Sequence, residues 1–173
     1  MSLETTYIED KLVETFGESV FRFNQEKDIF SFEVAADKIT AVVLFLKNDP
    51  SLRFHFLTDL CGVHYPDNVV ERQFSVVYHM HNWYENKRIK IKAFISGSTP
   101  EIKTLTTIFP SANWMERETY DFYGIDFIGH PQLKRILNMD EMVSFPMRKE
   151  FPLEDGGRTD KDDRFFGRTP SNK

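Results

Sequence analysis

The sequence predicts an α+β domain, a mainly antiparallel sheet with helices packed on one side, followed by an extended C-terminal arm. Three observations carry that expectation. Several stretches alternate apolar and polar residues, which gives a sheet one buried and one wettable face. Others repeat their apolar residues every third or fourth position, as amphipathic helices do. From Asn138 onward neither period survives.

In chain order, TTYIEDKLVETF (5–16) places Ile8, Leu12 and Phe16 on one helical face, and Gly17 is a natural stop. VFRF and IFSFEV then alternate Phe21/Phe23 and Phe30/Phe32/Val34 against polar neighbours, a hairpin across NQEKD. Residues 36–47 carry Ile39, Val43 and Leu46 on one helical face and end at NDP, before Pro50 can break the helix. SLRFHFLTDLCGVHYPD alternates Leu52, Phe54 and Phe56 against Arg53 and His55. Residues 72–83 set Phe74, Val76, Tyr78 and Met80 on one face of a long strand. After a turn at ENK, RIKIKAFI alternates Ile89, Ile91, Ala93 and Ile95 against Arg88, Lys90 and Lys92.

STPEIKTLTTIF is expected to return to helix, with Thr99 as N-cap and Pro100 as first helical residue. Asn113 and Glu116 have the spacing of a capping box, Trp114 opens the next helix, and Gly124 sits where a left-handed residue ends it. This divides the chain into an α+β domain over 1–137 and a tail over 138–173. With 173 residues it suits one domain, and no internal repeat is visible.

Composition narrows the function. A net charge of −5 gives no general attraction for nucleic acid. The longest apolar run, AVVLFL, is far short of the roughly 20 residues of a membrane span. The start, MSLETTYIEDK, lacks the basic and apolar regions of a signal peptide. Cys61 is the only cysteine, so an internal disulfide and a cysteine-bound iron–sulfur cluster are both excluded. The expectation is a soluble, intracellular, single-domain protein. Phosphate-binding glycine loops and the H-E-x-x-H zinc motif are absent.

MERETYDFYGIDFIGHPQLKRIL (115–137) is dense in groups that do chemistry. One reading makes Glu118 or Asp121 a general base with His130 as acid. The plainer reading has the acids Glu116, Glu118 and Asp121 cap a helix, pair with Arg117 and Arg135, and orient loops. In GHP, Gly129 frees the backbone, Pro131 holds His130 extended, and PQLKRIL begins a helical turn. His130 can then cap or donate to a nearby carboxylate. His79 and His81 share one face of a strand, a geometry that permits a metal, but no third ligand is evident. Arg88, Lys90 and Lys92 read as a solvated edge guarded by charge, and Cys61 as a small core residue.

The tail interleaves Phe145, Phe151, Phe165 and Phe166 with Arg148, Arg158, Arg164 and Arg168. Aromatic and Arg side chains are those that interfaces use, so the tail reads as an arm lying along a partner.

The stretch from Asn113 to Leu137 resembles the signature of the C-subunit family of respiratory complex I, the proton-translocating NADH:quinone oxidoreductase. Trp114, Glu116, Arg117, Glu118 and Asp121 meet its first half. Gly124, Ile125, Phe127, Gly129, His130, Pro131, Leu133, Arg135, Ile136 and Leu137 meet its second. The similarity runs from about residue 50 to 155 and takes in Arg148 and Phe151 near its end. There the chain departs from the family pattern, with Met142 in place of Trp, Ser144 of Gly and Phe145 of His.

What the resemblance implies is a non-redox structural subunit of the peripheral arm, supporting electron transfer from NADH to quinone coupled to proton translocation. FMN and iron–sulfur clusters would lie in partner subunits. The chief neighbours would be the quinone-site D subunit and, alongside it, the B subunit. The chain would sit on the cytoplasmic side of the inner (cell) membrane, held only through partners. The homologous subunit of a membrane-bound [NiFe]-hydrogenase-type complex, and a free-standing acid–base enzyme, are the alternatives.

Overall fold

Helix α1 (Thr5–Phe16) buries Ile8 and Leu12, one turn apart, and stops where Gly17 takes a φ of 53°. The computed structural model describes residues 4–26 and 29–151. Strands β1 (Val20–Glu26) and β2 (Ile29–Val34) form the expected antiparallel hairpin, with a register slip between Phe21 and Asn24. Helix α2 (Ile39–Asn48) buries Ile39, Val42, Val43 and Leu46. Asp49 follows, and its carboxylate accepts the Ser51 N–H at 2.8 Å and the Leu52 N–H at 3.2 Å. That local turn ends the helix before Pro50 is reached.

Strands β3 (Phe56–His64), β4 (Phe74–Asn82) and β5 (Lys87–Ile95) complete a five-stranded sheet in the order β1-β2-β5-β4-β3. Its pairings are antiparallel except β2 with β5, which run parallel. Phe74, Val76, Tyr78 and Met80 on β4 and Ile89, Ile91, Ala93 and Ile95 on β5 are all buried, as their alternation requires. The helices cover this face of an α+β fold.

A second, smaller unit follows. Strand β6 (Glu101–Lys103) pairs in parallel with β7 (Asp126–Ile128), and helix α3 (Ala112–Tyr123) is the crossover between them. Helix α3 packs along edge strand β3, where Gly62 gives it room. A Cβ on Gly62 would stand 2.7 Å from Tyr123 Cδ2 and 2.9 Å from Thr119 Cγ2.

Several expectations need correction. STPEIKTLTTIF is not a helix: Ile102 is buried between exposed Glu101 and Lys103, and the segment pairs with β7. Its β-branched residues favour the ladder once a partner strand is present, which the cap signals at Thr99 and Pro100 cannot reveal. Leu52 and Phe54 are buried ahead of β3, Arg53 turns the chain at φ 49°, and Phe56 is exposed. Strand β5 lies inside the sheet, so Arg88, Lys90 and Lys92 guard no edge but stand on its outer face. PQLKRIL forms turns instead of a helix. Residues 138–151, assigned from sequence to the tail, lie back against α3 and β3: Met147 N–H reaches Phe122 O at 3.2 Å, and Lys149 N–H reaches His64 Nδ1 at 3.0 Å. Phe165, Phe166, Arg158, Arg164 and Arg168 fall outside the described residues.

Replacing Gly62 by Ala should therefore overpack the α3–β3 contact. A loss of about 1–3 kcal/mol in urea unfolding is expected, and an unchanged midpoint would show that α3 does not approach β3 this closely.

Candidate functional site

Helix α3 ends where Gly124 adopts φ 68°, the left-handed geometry that an L side chain resists. A Cβ there would also stand 2.5 Å from the Phe145 ring and 2.7 Å from Arg148 Nη2. Gly124 is thus a conformational stop and the floor on which the chain from Phe145 to Arg148 rests.

One turn earlier the helix places Asp121, fully buried, with its donors gathered from the chain beyond β7. The N–H groups of Ile136, Leu137 and Asn138 reach Oδ2 at 3.1, 2.8 and 2.9 Å, and Arg135 Nη1 reaches Oδ1 at 2.6 Å. Burial pulls the carboxyl pKa upward. The backbone N–H groups of Asn138 and Leu137, then Arg135 and Ile136, outweigh it and hold the carboxyl well below the ordinary carboxylate range. Arg135 spends its other donors on the carbonyls of Met142 and Ser144 at 2.6 and 2.9 Å.

Glu116 is equally buried but has no cation beside it among the described residues. Thr104 Oγ1 donates to Oε2 at 2.5 Å, and the Leu105 N–H donates to Oε1 at 2.7 Å. Burial dominates and the two hydrogen bonds only partly counter it, so the carboxyl is raised from 4.5 to about 7. Glu116 is therefore not half of a capping box. The helix already begins at Ala112, Ser111 makes no side-chain cap, and Glu116 reaches sideways to fix the loop after β6.

The remaining signature residues divide into internal ties and exposed surface. Arg117 pairs with no acid among the described residues and donates to the carbonyls of Lys134 and Arg135 at 3.1 and 3.0 Å, its guanidinium 5.1 Å from the Trp114 ring. His130 accepts the Gln132 N–H on Nδ1 at 3.0 Å, which leaves Nε2 to donate to the Asn113 carbonyl at 3.2 Å. Its partner is a backbone carbonyl and no carboxylate. Gly129, at φ 86°, makes the turn into His130 and exposed Pro131. Trp114 and Glu118 are exposed, and Glu118 borders a cleft of about 220 Å³ that it shares with Cys61, Tyr123 and Met147. Cys61 is thus half-buried at a cleft and outside the core, and burial pushes its thiol up.

Arg148 and Phe145, expected from sequence to face a partner, pack internally. Arg148 Nε donates to Tyr123 O at 2.7 Å, and its guanidinium lies between the rings of Phe74 and Phe145 at 5.0 and 4.8 Å. Phe151 is partly exposed, its N–H on Arg148 O at 3.0 Å. Thr104, Leu105 and His64 belong to this site but have no pattern in the sequence; Gly62, isolated within a strand, is the one signal that could have pointed to a close approach there. Among the described residues no group of three or more His, Cys, Asp or Glu side chains is placed to hold a metal ion, and no helix is long and apolar enough to cross a membrane.

Fold and site define an α+β module whose signature side chains tie its own loops while apolar residues remain outside: Leu137, Met139 and Val143 are 65%, 74% and 94% exposed. Residues 32–156 match the family described as respiratory-chain NADH dehydrogenase, 30 Kd subunit, and the chain belongs to that family. It is 37% identical over 171 residues to the second C subunit of NADH-quinone oxidoreductase of Rhizobium etli, covering 98% of this chain and 88% of that one. It is 36% identical to the C subunit of the same enzyme of Roseiflexus castenholzii, with 98% of each chain covered. Among solved structures it resembles the trypsin-resistant fragment of Nqo5, with a TM-score of 0.61, 25% identity, and 73% of this chain and 98% of that one covered. A chain of an archaeal membrane-bound sulfane sulfur reductase shares the fold at TM-score 0.72 and 23% identity, over 91% of this chain and 95% of that one. The resemblance read from the signature is thereby shown, and with it membership of a multi-subunit oxidoreductase family.

Two outcomes test this geometry. Asp121→Asn removes the counter-charge of a buried guanidinium and should cost about 3–5 kcal/mol in chemical denaturation, whereas exposed Glu118→Gln should change little. Glu116 sets a pH dependence of the opposite sign to that of Asp121. Between 4.5 and about 7 the folded chain holds a proton that the unfolded chain has released, so stability falls as pH rises through that window and is level above it. Asp121 contributes fully above its unfolded value near 3.8 and its contribution is lost as pH falls below it. Glu116→Gln, which can still accept from Leu105 and donate to Thr104, should flatten the upper slope. Retention of that slope in the variant would remove Glu116 as its source.

Proposed function

We propose that the chain is a non-redox, positional subunit of the peripheral arm of NADH:quinone oxidoreductase. It docks on the quinone-site D subunit, close to the B subunit, on the cytoplasmic side of the membrane, and holds no cofactor of its own. Electron transfer and quinone chemistry need neighbouring subunits kept in fixed register, and this chain supplies part of that frame. The observation that carries the reading is the fate of two of the three signature carboxylates, the third, Glu118, being exposed. Asp121 is enclosed by three backbone N–H groups and Arg135, and Glu116 is enclosed by Thr104 and Leu105. Both are closed to solvent, and both ring nitrogens of His130 are occupied. An acid–base enzyme needs these groups in reach of a substrate. A docking subunit needs them for the loops that present Leu137, Met139 and Val143.

The alternative of a hydrogenase-type complex draws only on a shared fold, since the likeness to the archaeal complex lies at 23% identity. The family match favours the quinone oxidoreductase.

Co-purification with a tagged D subunit from cells making both chains should recover this protein, and Val143→Glu should sharply reduce recovery without lowering its melting temperature. The purified chain alone should show no flavin or iron absorbance. A chain that carries a chromophore, or that ignores the D subunit, would count against the reading.

A further inference from the structure

The helices cover one face of the five-stranded sheet; the other face is held by side chains of a different character. Four cross-strand rows lie there: Phe56–His81–Arg88, Asp59–His79–Lys90, Cys61–Val77–Lys92 and Val63–Ser75–Phe94. Two carboxylates face this surface among the described residues of β2 and β3. Glu33, opposite Lys92, is bound by Arg72 at 2.7 Å and by Arg22 at 3.2 Å, and Asp59 stands 3.8 Å from His79. Strand β5 thus contributes three cations and no acid to this face, in a chain whose net charge is −5.

At the end of the face, rings stand in water. Trp83 and Tyr84 are 65% and 68% exposed and Phe56 41%. They are nonetheless fixed. Phe56 meets Trp83 edge-on at 5.4 Å, His81 stacks on Trp83 at 5.6 Å, and the Arg53 guanidinium lies 3.7 Å from the Tyr84 centroid. Beneath them, buried Asn82 accepts the N–H groups of Tyr84 and Glu85 at 2.8 and 3.1 Å and donates to Leu52 O at 2.7 Å. The turn that carries the rings is thus braced to the core, so ordering them on contact costs little.

We propose that this outer face, from Phe56, Trp83 and Tyr84 along Arg88 and Lys92, is a second docking surface whose occupant is an acidic surface of a neighbouring protein subunit. Rigid aromatic anchors beside Arg are what interface centres use, and the positive field selects a partner of opposite sign. A polyanion such as nucleic acid fits poorly, because the chain as a whole repels it at long range. The proposal rests on the reading of the chain as a subunit of a larger enzyme. It adds that the chain bridges two neighbours through two separate surfaces.

The test compares the free full-length chain with the assembled enzyme. Hydroxyl-radical labelling of Trp83 should fall severalfold on assembly, and carbodiimide should join Lys92 to an Asp or Glu of another subunit. Arg88→Glu with Lys92→Glu should reduce incorporation, and Trp83→Ala should weaken it about tenfold or more, each with an unchanged melting temperature of the free chain. Equal labelling of Trp83 in the free and assembled states overturns the second surface and leaves the first docking reading intact. Cross-links to a second copy of this chain, or protection of the free chain by phosphatidylglycerol vesicles alone, overturn the proposed occupant. Absence of the chain from the purified enzyme would instead bring down the docking reading itself.

Discussion

The turn from Arg135 to Asn138, and through Arg135 the chain as far as Ser144, depends on one buried carboxylate. Asp121 offers acceptor lone pairs and no donor, and the chain meets them with three consecutive backbone N–H groups and one guanidinium. A segment with no regular structure must still satisfy its backbone. Residues 136–138 do so by wrapping a side chain, as a helix N-terminus wraps its cap. Arg135 then carries the tie outward to Met142 and Ser144, and its guanidinium lies 5.0 Å from the Phe145 ring. Phe145 in turn sits on Gly124 and beside Arg148. A stretch without period is ordered by a relay of charge and ring.

Glu116 and Asp121 lie on one helix, both closed to solvent, and their acidities are driven apart. The difference is the neighbour: Asp121 has a cation and three N–H groups, Glu116 one hydroxyl and one N–H. Such a split is the usual sign of an acid–base pair. It also arises wherever buried acids hold loops in place, and here each oxygen is already engaged with the chain's own groups. The perturbation follows from structural use, which supports a docking role and requires no reaction.

Much of the fold was legible because it is local. Ile8 with Leu12, Phe74 to Met80 and Ile89 to Ile95 announce helix, strand and strand by spacing alone, and Gly124 announces a helix end. The misread parts are those decided by distant partners. Glu101–Lys103 becomes a strand only because Asp126–Ile128 arrives beside it, after a helix. The parallel pairing of β2 with β5 leaves no mark in either strand's pattern. In the site, the acids were legible as partners for Arg117 and Arg135, and Arg135 does take Asp121 while Arg117 goes to backbone carbonyls. That backbone N–H groups and Thr104 would complete the two acid sites was not legible, since main-chain donors look alike at every position.

The use of arginine and phenylalanine teaches the most. Read from sequence, their alternation marked an arm for a partner. In the folded chain Arg72 lies on Phe94 and Arg148 between Phe74 and Phe145, at centroid distances of 3.7 to 5.0 Å. The pair is thus a building unit inside this protein, where a planar cation on a ring lets a charged residue sit half-buried. Composition alone therefore cannot separate internal shelves from external anchors; exposure can. Once Phe145 and Arg148 are assigned to the interior, other rings and aliphatic groups remain exposed, Trp114, Val69 and Ile128 singly and two sets together. Leu137, Met139 and Val143 stand beyond the Asp121 tie, and Trp83 with Tyr84 beyond β4. The turn under Trp83 and Tyr84 is braced by Asn82 and still leaves both rings exposed, which is the order an interface anchor needs and a solvated turn does not.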